Sequence, residues 1–255
     1  MIERNIEKLK NISPDELLSY AELFRNSCNN IPVCNVVSND GTSYKYIPLP
    51  VTDGPMKKED LDATGIVLGR SLLDLNINLQ NTWAITEADR GGGLVLRALQ
   101  QFTGINIHWL NWYDEATVNA FAGDFVTEEM APAFAMGSSL RPGIYLPAHI
   151  RETLQKSGVI LIDDVLSTGT TIVTIKSILD RAGISLKAIV CAAEKIDYGG
   201  MDKLKKSFPS IPVVTMAKIK IREFTEQEKS YYGFNRNFTG MSEIKGDRKT
   251  PYYIR

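Results

Sequence analysis

The sequence predicts an α/β protein built on a parallel sheet, and three observations carry that prediction. The run Val159-Ile160-Leu161-Ile162 is apolar and β-branched at three positions, which is the composition of a strand buried on both faces. From Thr82 to Ala217, short apolar runs alternate with segments of helical period. Such alternation means parallel strands joined by right-handed crossovers. A hydrophobic content of 44% over 255 residues is ample for one large packed core.

The first thirty residues read as helical. Ile2, Ile6 and Leu9 recur at helical spacing, and Ser13-Pro14-Asp15-Glu16 is a cap followed by proline at the first helical position. Leu17, Leu18, Ala21 and Phe24 then share one side. Cys34 to Val37 and Tyr44 to Leu49 are expected as two short strands around the turn Asn39-Asp40-Gly41. Helical period returns from Leu61 to Leu75. Trp83 to Thr86 follows as a strand, Gly91 to Phe102 as a helix and Ile105 to Leu110 as a second strand.

Residues 112 to 142 have no clean period and read as a long excursion. Leu154 to Ile162 brings the central strand, and Thr171 to Arg181 its helix, stopped by Gly183. Lys187 to Ala193, Met201 to Phe208 and Val213 to Ala217 continue as strand, helix and strand. The tail from Arg222 is polar and aromatic and reads as an appendage or a lid. The resulting division is an N-terminal helical and hood region over 1–60, a core over 61–220 and a C-terminal appendage over 221–255.

Composition excludes several classes. A net charge of −1 gives no electrostatic reason to expect nucleic acid or a membrane surface as a partner. Apolar runs are too short to span a bilayer. Cys28, Cys34 and Cys191 are an odd number, and with His108 and His149 they fit no familiar zinc spacing. The start Met1-Ile2-Glu3-Arg4-Asn5 has no apolar core of a secretory signal, so a cytoplasmic protein is expected and the sequon at Asn237 is read as chance.

The chemistry concentrates in the thirteen residues from Val159 to Thr171. Asp163 and Asp164 follow the buried run, where open α/β sheets bind their ligands. The turn through Val165, Leu166, Ser167, Thr168, Gly169, Thr170 and Thr171 opens into an amphipathic helix. Unspent N–H groups and the dipole at a helix start attract an anion, and four hydroxyls surround this one. An acidic pair beside an anion cradle suits a ligand carrying sugar hydroxyls and a phosphate. No G-x-x-x-x-G-K-[ST] run occurs, and Gly169 alone does not make a dinucleotide fingerprint.

This ordered stretch resembles the phosphoribosyl-pyrophosphate signature of the type I phosphoribosyltransferases. The resemblance implies that family's parallel α/β fold with a small hood. It implies that Asp163 and Asp164 hold the ribose hydroxyls, with magnesium bound directly or through donor oxygens and water, and that Ser167 to Thr171 wrap the 5-phosphate. Glu87-Ala88-Asp89-Arg90-Gly91-Gly92-Gly93, one strand–helix step upstream, resembles the pyrophosphate loop of the adenine and xanthine enzymes, with Asp89 as an extra acid. Its glycines allow close backbone approach to an anion. Glu194-Lys195 resembles the pair that closes a strand near the purine pocket of the xanthine branch, where the lysine recognises a base oxygen. Ser167 stands where oxopurine-salvage enzymes carry an aspartate, so the chain leans toward the adenine and xanthine branch.

The expected reaction is therefore transfer of a 5-phosphoribosyl group from phosphoribosyl pyrophosphate to a purine or purine-like base, releasing a nucleotide product and pyrophosphate, in a homodimer. One departure stands out. From Ala98 through Leu140, at the family's mobile-loop position, there is no lysine or arginine, whereas Asp114, Glu115, Asp124, Glu128 and Glu129 are present. Arg90, Arg141, magnesium or a neighbouring subunit would have to meet the charge of pyrophosphate. The alternative is a non-catalytic sensor of the donor or of nucleotides. It is disfavoured because neither N-terminal helix carries the basic stripe of a DNA-binding module.

Overall fold

The computed structural model describes residues 2–29, 31–37, 43–46, 57–87, 91–120, 124–127, 140–223, 225–227, 230, 239–243 and 249–255. In chain order these form α1 (Ile2–Lys10), α2 (Pro14–Ser27), β1 (Ile31–Val37), β2 (Ser43–Tyr46), α3 (Lys58–Asp74), β3 (Trp83–Glu87) and α4 (Gly92–Thr103). Then come β4 (Asn106–Asp114), α5 (Glu115–Ala120), β5 (Phe125–Thr127), β6 (Leu140–Tyr145), α6 (Ala148–Ser157), β7 (Val159–Leu166) and α7 (Thr170–Arg181). The chain continues through β8 (Leu186–Lys195), α8 (Gly200–Ser207), β9 (Val213–Glu223), β10 (Thr239–Glu243) and β11 (Tyr253–Ile254).

The described strands make one sheet in the order β2-β1-β10-β9-β8-β7-β3-β4-β6-β5, with β11 also on β9. Its centre, β9-β8-β7-β3-β4, is parallel, as the alternating sequence pattern predicts. The flanks are antiparallel. Helices cover both faces. Leu17 and Phe24 of α2, Val67 and Leu68 of α3, and Leu96 and Leu99 of α4 share one core cluster with Ile160, Ile162 and Val190. Leu154 of α6, Ile172, Ile175 and Ile178 of α7, and Leu204 of α8 pack on Leu161 and Ile189. This is the three-layer arrangement that a sheet buried on both sides requires.

Local signals place the long elements. The Ser13 hydroxyl accepts the Glu16 N–H at 3.2 Å and Pro14 opens α2, as the cap motif predicts. Ile172, Ile175, Ile178 and Leu179 bury one side of α7, and Gly183, at φ +71°, ends it.

Four expectations need correction or extension. Leu154 to Ser157 are the end of helix α6, not the start of the central strand, which runs from Val159 to Leu166 and includes both acids. Only Leu154 of α6 is fully buried, so the helical period hardly registers in the sequence. Within 112–142, β4 continues to Asp114, helix α5 follows, and β5 and β6 build an antiparallel edge on β4. Helix α3 begins at Lys58, so the boundary drawn between residues 60 and 61 falls inside a helix. In the tail, β10 lies between β1 and β9, and β11 also pairs with β9. These described parts of the tail are strands of the main sheet. The turn at Asn39-Asp40-Gly41 lies outside the described residues.

Two irregularities bear on the site. Pairing of β7 with β8 passes from Asp163↔Cys191 to Val165↔Ala193, and pairing of β8 with β9 passes from Cys191↔Thr215 to Ala193↔Ala217. The ladder thus misses one row, Asp164–Ala192–Met216, across three strands. On the outer edge of β9, β11 pairs with Val214 and Thr215 while β10 begins at Ile219, and Met216 lies in the gap. Fully buried Arg25 of α2 fills it, donating from Nε to the Met216 carbonyl at 2.8 Å and from Nη2 to the Thr250 carbonyl at 2.6 Å. Its guanidinium also lies 5.1 Å from the centroid of the Tyr253 ring.

Arg25→Ala would strand buried carbonyls, and hydrogen bonds to a charged donor are worth about 1.5–3 kcal/mol each before non-additivity. Urea unfolding is expected to show a loss of about 2–3 kcal/mol. A loss comparable to that of an exposed arginine variant would show that the guanidinium does not hold the tail.

Candidate active site

The site is built at the carboxyl end of β7. There the ladder omits Asp164, and the acids take over the freed donors. The Asp163 carboxylate accepts the Asp164 N–H at 2.9 Å, and the Asp164 carboxylate accepts the Val165 N–H at 2.7 Å. Each acid keeps further lone pairs for a ligand. Burial, first, then the charges of Asp164 and Glu87 push the Asp163 carboxyl well above its ordinary range.

That influence of Glu87 reflects how β3 and α4 meet β7. Strand β3 runs parallel to β7 and ends at Glu87, and α4 starts at Gly92. A Cβ at Gly92 would collide with Thr86 Oγ1 and stand 3.2 Å from the Asp163 Cα and 3.3 Å from the Ile162 carbonyl oxygen. Only glycine allows the helix start to lie this close to the acid pair. Glu87, Gly91 and Gly92 are therefore brought to Asp163. Ala88, Asp89 and Arg90 lie outside the described residues, as does the side chain of Arg141.

Beyond Leu166 the turn Ser167-Thr168-Gly169 leads into α7, with Gly169 left-handed at φ +71°. Thr168 Oγ1 lies 3.1 Å from Thr170 Oγ1 and accepts the Thr170 N–H at 3.4 Å. The first helical bond runs from the Val173 N–H to the Gly169 carbonyl at 3.0 Å. The N–H groups of Thr171 and Ile172 have no acceptor among the described residues. Unspent N–H groups at a helix start, beside the Thr168 and Thr170 hydroxyls, are suited to an anion. Helix α8 closes one side of this turn. A Cβ at Gly200 would overlap the Ser167 carbonyl oxygen, and Lys203 Nζ donates to Thr170 Oγ1 at 3.0 Å. Lys203 was not singled out by the sequence, because it lies on an otherwise ordinary charged helix face.

Lys195, at the end of β8, is 8% exposed. Burial lowers its ammonium from the ordinary range, while the charges of Asp164 and Asp163 hold it up. Its Nζ lies 5.9 Å from the Tyr198 ring centroid. The structure thus sets Lys195 in the field of the acid pair rather than in bulk water. Glu194 answers to other charges, those of Lys218 and Arg255, and burial raises its carboxyl. Cys191, paired across the ladder with Asp163, is buried with its thiol pushed well up, which makes it an inert core residue.

Two adjacent carboxylates suit magnesium when its remaining ligands are substrate oxygens and water. Among the described residues no group of three or more His, Cys, Asp or Glu side chains is arranged for a metal. The acid pair fits a magnesium ion that arrives with a polyphosphate ligand.

Comparison with solved structures gives the fold. The adenine phosphoribosyltransferase of Trypanosoma brucei, in complex with AMP, pyrophosphate and ribose-5-phosphate, superposes with a TM-score of 0.59 at 15% identity. The match covers 78% of this chain and 79% of that one. The chain has the type I phosphoribosyltransferase fold. The Leishmania donovani adenine phosphoribosyltransferase matches at a TM-score of 0.55 and 16% identity, over 78% of this chain and 80% of that one. For the enzyme of Thermoanaerobacter pseudethanolicus the TM-score is 0.53 and the identity 15%, over 77% and 98% of the two chains. In sequence, a hypoxanthine/guanine phosphoribosyltransferase of Methanocaldococcus vulcanius is 38% identical over 63 residues. Those residues are 25% of this chain, and the match spans only 33% of that relative. No family model matches the chain.

The raised Asp163 carboxyl has a consequence for stability. Between the ordinary value of 3.8 and the raised one, the folded state holds a proton that the unfolded state has lost, so stability falls as pH rises. Urea unfolding of the ligand-free protein from pH 4 upward should show this fall. Asp163→Asn should flatten it and stabilise the protein at neutral pH. An unchanged slope in the variant would show that Asp163 ionises normally.

Proposed function

We propose that the protein is a phosphoribosyltransferase that moves a 5-phosphoribosyl group from phosphoribosyl pyrophosphate to a ring nitrogen of a purine or purine-like base. The observation that carries this reading is the packing of Gly92 against Asp163, which puts the glycine start of α4, the acid pair and the Ser167–Thr171 cradle at one end of the sheet. A ligand there meets carboxylates suited to ribose hydroxyls and two groups of backbone donors suited to its anionic ends. The fold shared with adenine phosphoribosyltransferases supports the same reading.

Asp163 and Asp164 orient the ribose by accepting hydrogen bonds from its hydroxyls, the cradle anchors the 5-phosphate, and the 87–92 loop receives the pyrophosphate. Bound magnesium, held by Asp163 and Asp164 directly or through water, would offset charge on the donor oxygens. The anomeric carbon becomes oxocarbenium-like as pyrophosphate leaves, and the base nitrogen closes in from the opposite side. The protein's part is alignment and water exclusion. Lys195 donates to a keto oxygen of the base, since an ammonium can donate but not accept. The N-terminal region and the segment directly after Lys195 supply the hood of a homodimeric, cytoplasmic enzyme. Among the described residues no helix is long and apolar enough to cross a membrane.

The test is incubation with phosphoribosyl pyrophosphate, magnesium and a panel of purines, following pyrophosphate release and nucleotide formation. The reading expects turnover with at least one base, greater for an oxopurine than for adenine. Lys195→Ala should reduce oxopurine turnover selectively, and equal loss on adenine would remove the lysine from base recognition. Donor binding without transfer to any base would overturn the enzymatic reading in favour of a sensor.

A further inference from the structure

We propose that Lys203 is a ligand of the 5-phosphate, supplying from helix α8 a positive charge that the hydroxyls and amides of the 167–171 turn lack. The proposal rests on the phosphoribosyltransferase reading and adds to it a residue outside the signature motif. The cradle's own groups, from Ser167 to Thr171, are neutral hydroxyls and amides. A phosphate monoester carries nearly two negative charges at neutral pH. Asp163 and Asp164, at the end of the strand that leads into the cradle, supply no positive charge either. A cation that touches the cradle therefore changes what it can hold.

Lys203 is placed there by packing. The Ser167 carbonyl lies against Gly200 so closely that a side chain at Gly200 would collide with it. Leu204 also sits beneath the turn, with Leu204 Cδ2 3.3 Å from where a Gly169 Cβ would be. These contacts fix the start of α8 against the turn. Residue 203 is one helical turn beyond Gly200 and so shares its face. The resulting bond from Lys203 Nζ to Thr170 Oγ1 measures 3.0 Å. Thr170 has one hydroxyl proton. Accepting from Lys203 leaves that proton free to reach Thr168 Oγ1, 3.1 Å away. The ammonium has three donors and spends one here among the described residues, leaving two beside the unspent N–H groups of Thr171 and Ile172.

Lys203 is exposed, so its replacement leaves the core intact. Isothermal calorimetry on the full chain, with ribose 5-phosphate and then with phosphoribosyl pyrophosphate and magnesium, tests the assignment. Lys203→Gln should weaken ribose 5-phosphate binding at least roughly tenfold, the scale of one lost charge-assisted hydrogen bond. Lys203→Arg should restore most of it. Lys206→Gln removes the same charge from the same helix and should change little, and pyrophosphate binding should be unaffected by Lys203→Gln. If Lys203→Gln binds ribose 5-phosphate as the wild type does while Asp163→Asn/Asp164→Asn binds donor weakly, the lysine assignment fails and the enzyme reading stands. An equal loss in Lys206→Gln would reduce the effect to general electrostatics and overturn it. If the wild type binds neither ligand, both proposals fall.

Discussion

Everything at the candidate site depends on how closely two helix starts approach strand β7. At Gly92 there is no room for a Cβ between Thr86, Ile162 and Asp163, and at Gly200 none beside the Ser167 carbonyl. These contacts bring three segments distant in sequence to one end of the sheet. They also explain why glycine, with no side chain to offer, stands where the segments meet. Helix starts and their free amides come this close to the acid pair and the turn only because the backbones touch.

The surface so formed is electrostatically costly. Asp163 sits half-buried beside Asp164 and within the field of Glu87, and Lys195, at the end of β8, stands in the field of the acid pair. A ligand-free site that holds acids this close together spends folding stability to be ready for cations and hydroxyls. The core has reserves to meet that cost. Both faces of β7 and β8 are sealed by aliphatic side chains, and Arg25 secures the far edge where β10 and β11 meet β9.

Much of this was legible in the sequence wherever one segment carries its own period. Val159 to Ile162 announces a buried strand, Ile172, Ile175 and Ile178 announce α7, and the acid–hydroxyl–glycine order of 163–171 announces the cradle. What stayed hidden depends on partners far along the chain. Strand β10 finds its place only between β1 and β9, and β11 is two residues long. Helix α6 buries too little for its period to show. Arg25 looks like any helical arginine until Met216 and Thr250 surround it. Lys203 looks like any surface lysine until Gly200 brings α8 against the turn. Ala88, Asp89 and Arg90, expected from the sequence in a pyrophosphate loop, lie outside the described residues.

The row of missing ladder bonds at Asp164, Ala192 and Met216 acts as a crease that resets parity. In β8, Ala188, Val190 and Ala192 belong to one core cluster, but so does Ala193, and the strict two-residue alternation is broken. In β9, Met216 and Ala217 repeat the break. Neighbours beyond the crease accordingly live in different electrostatic worlds. Lys195 answers to the acid pair, whereas Glu194 answers to Lys218 and Arg255. Counting odd and even from the first half of the strand would assign these two charges to each other's faces. A single insertion on either side of the crease would therefore exchange a cation for an anion at the mouth of the site, while leaving the sheet's composition almost unchanged.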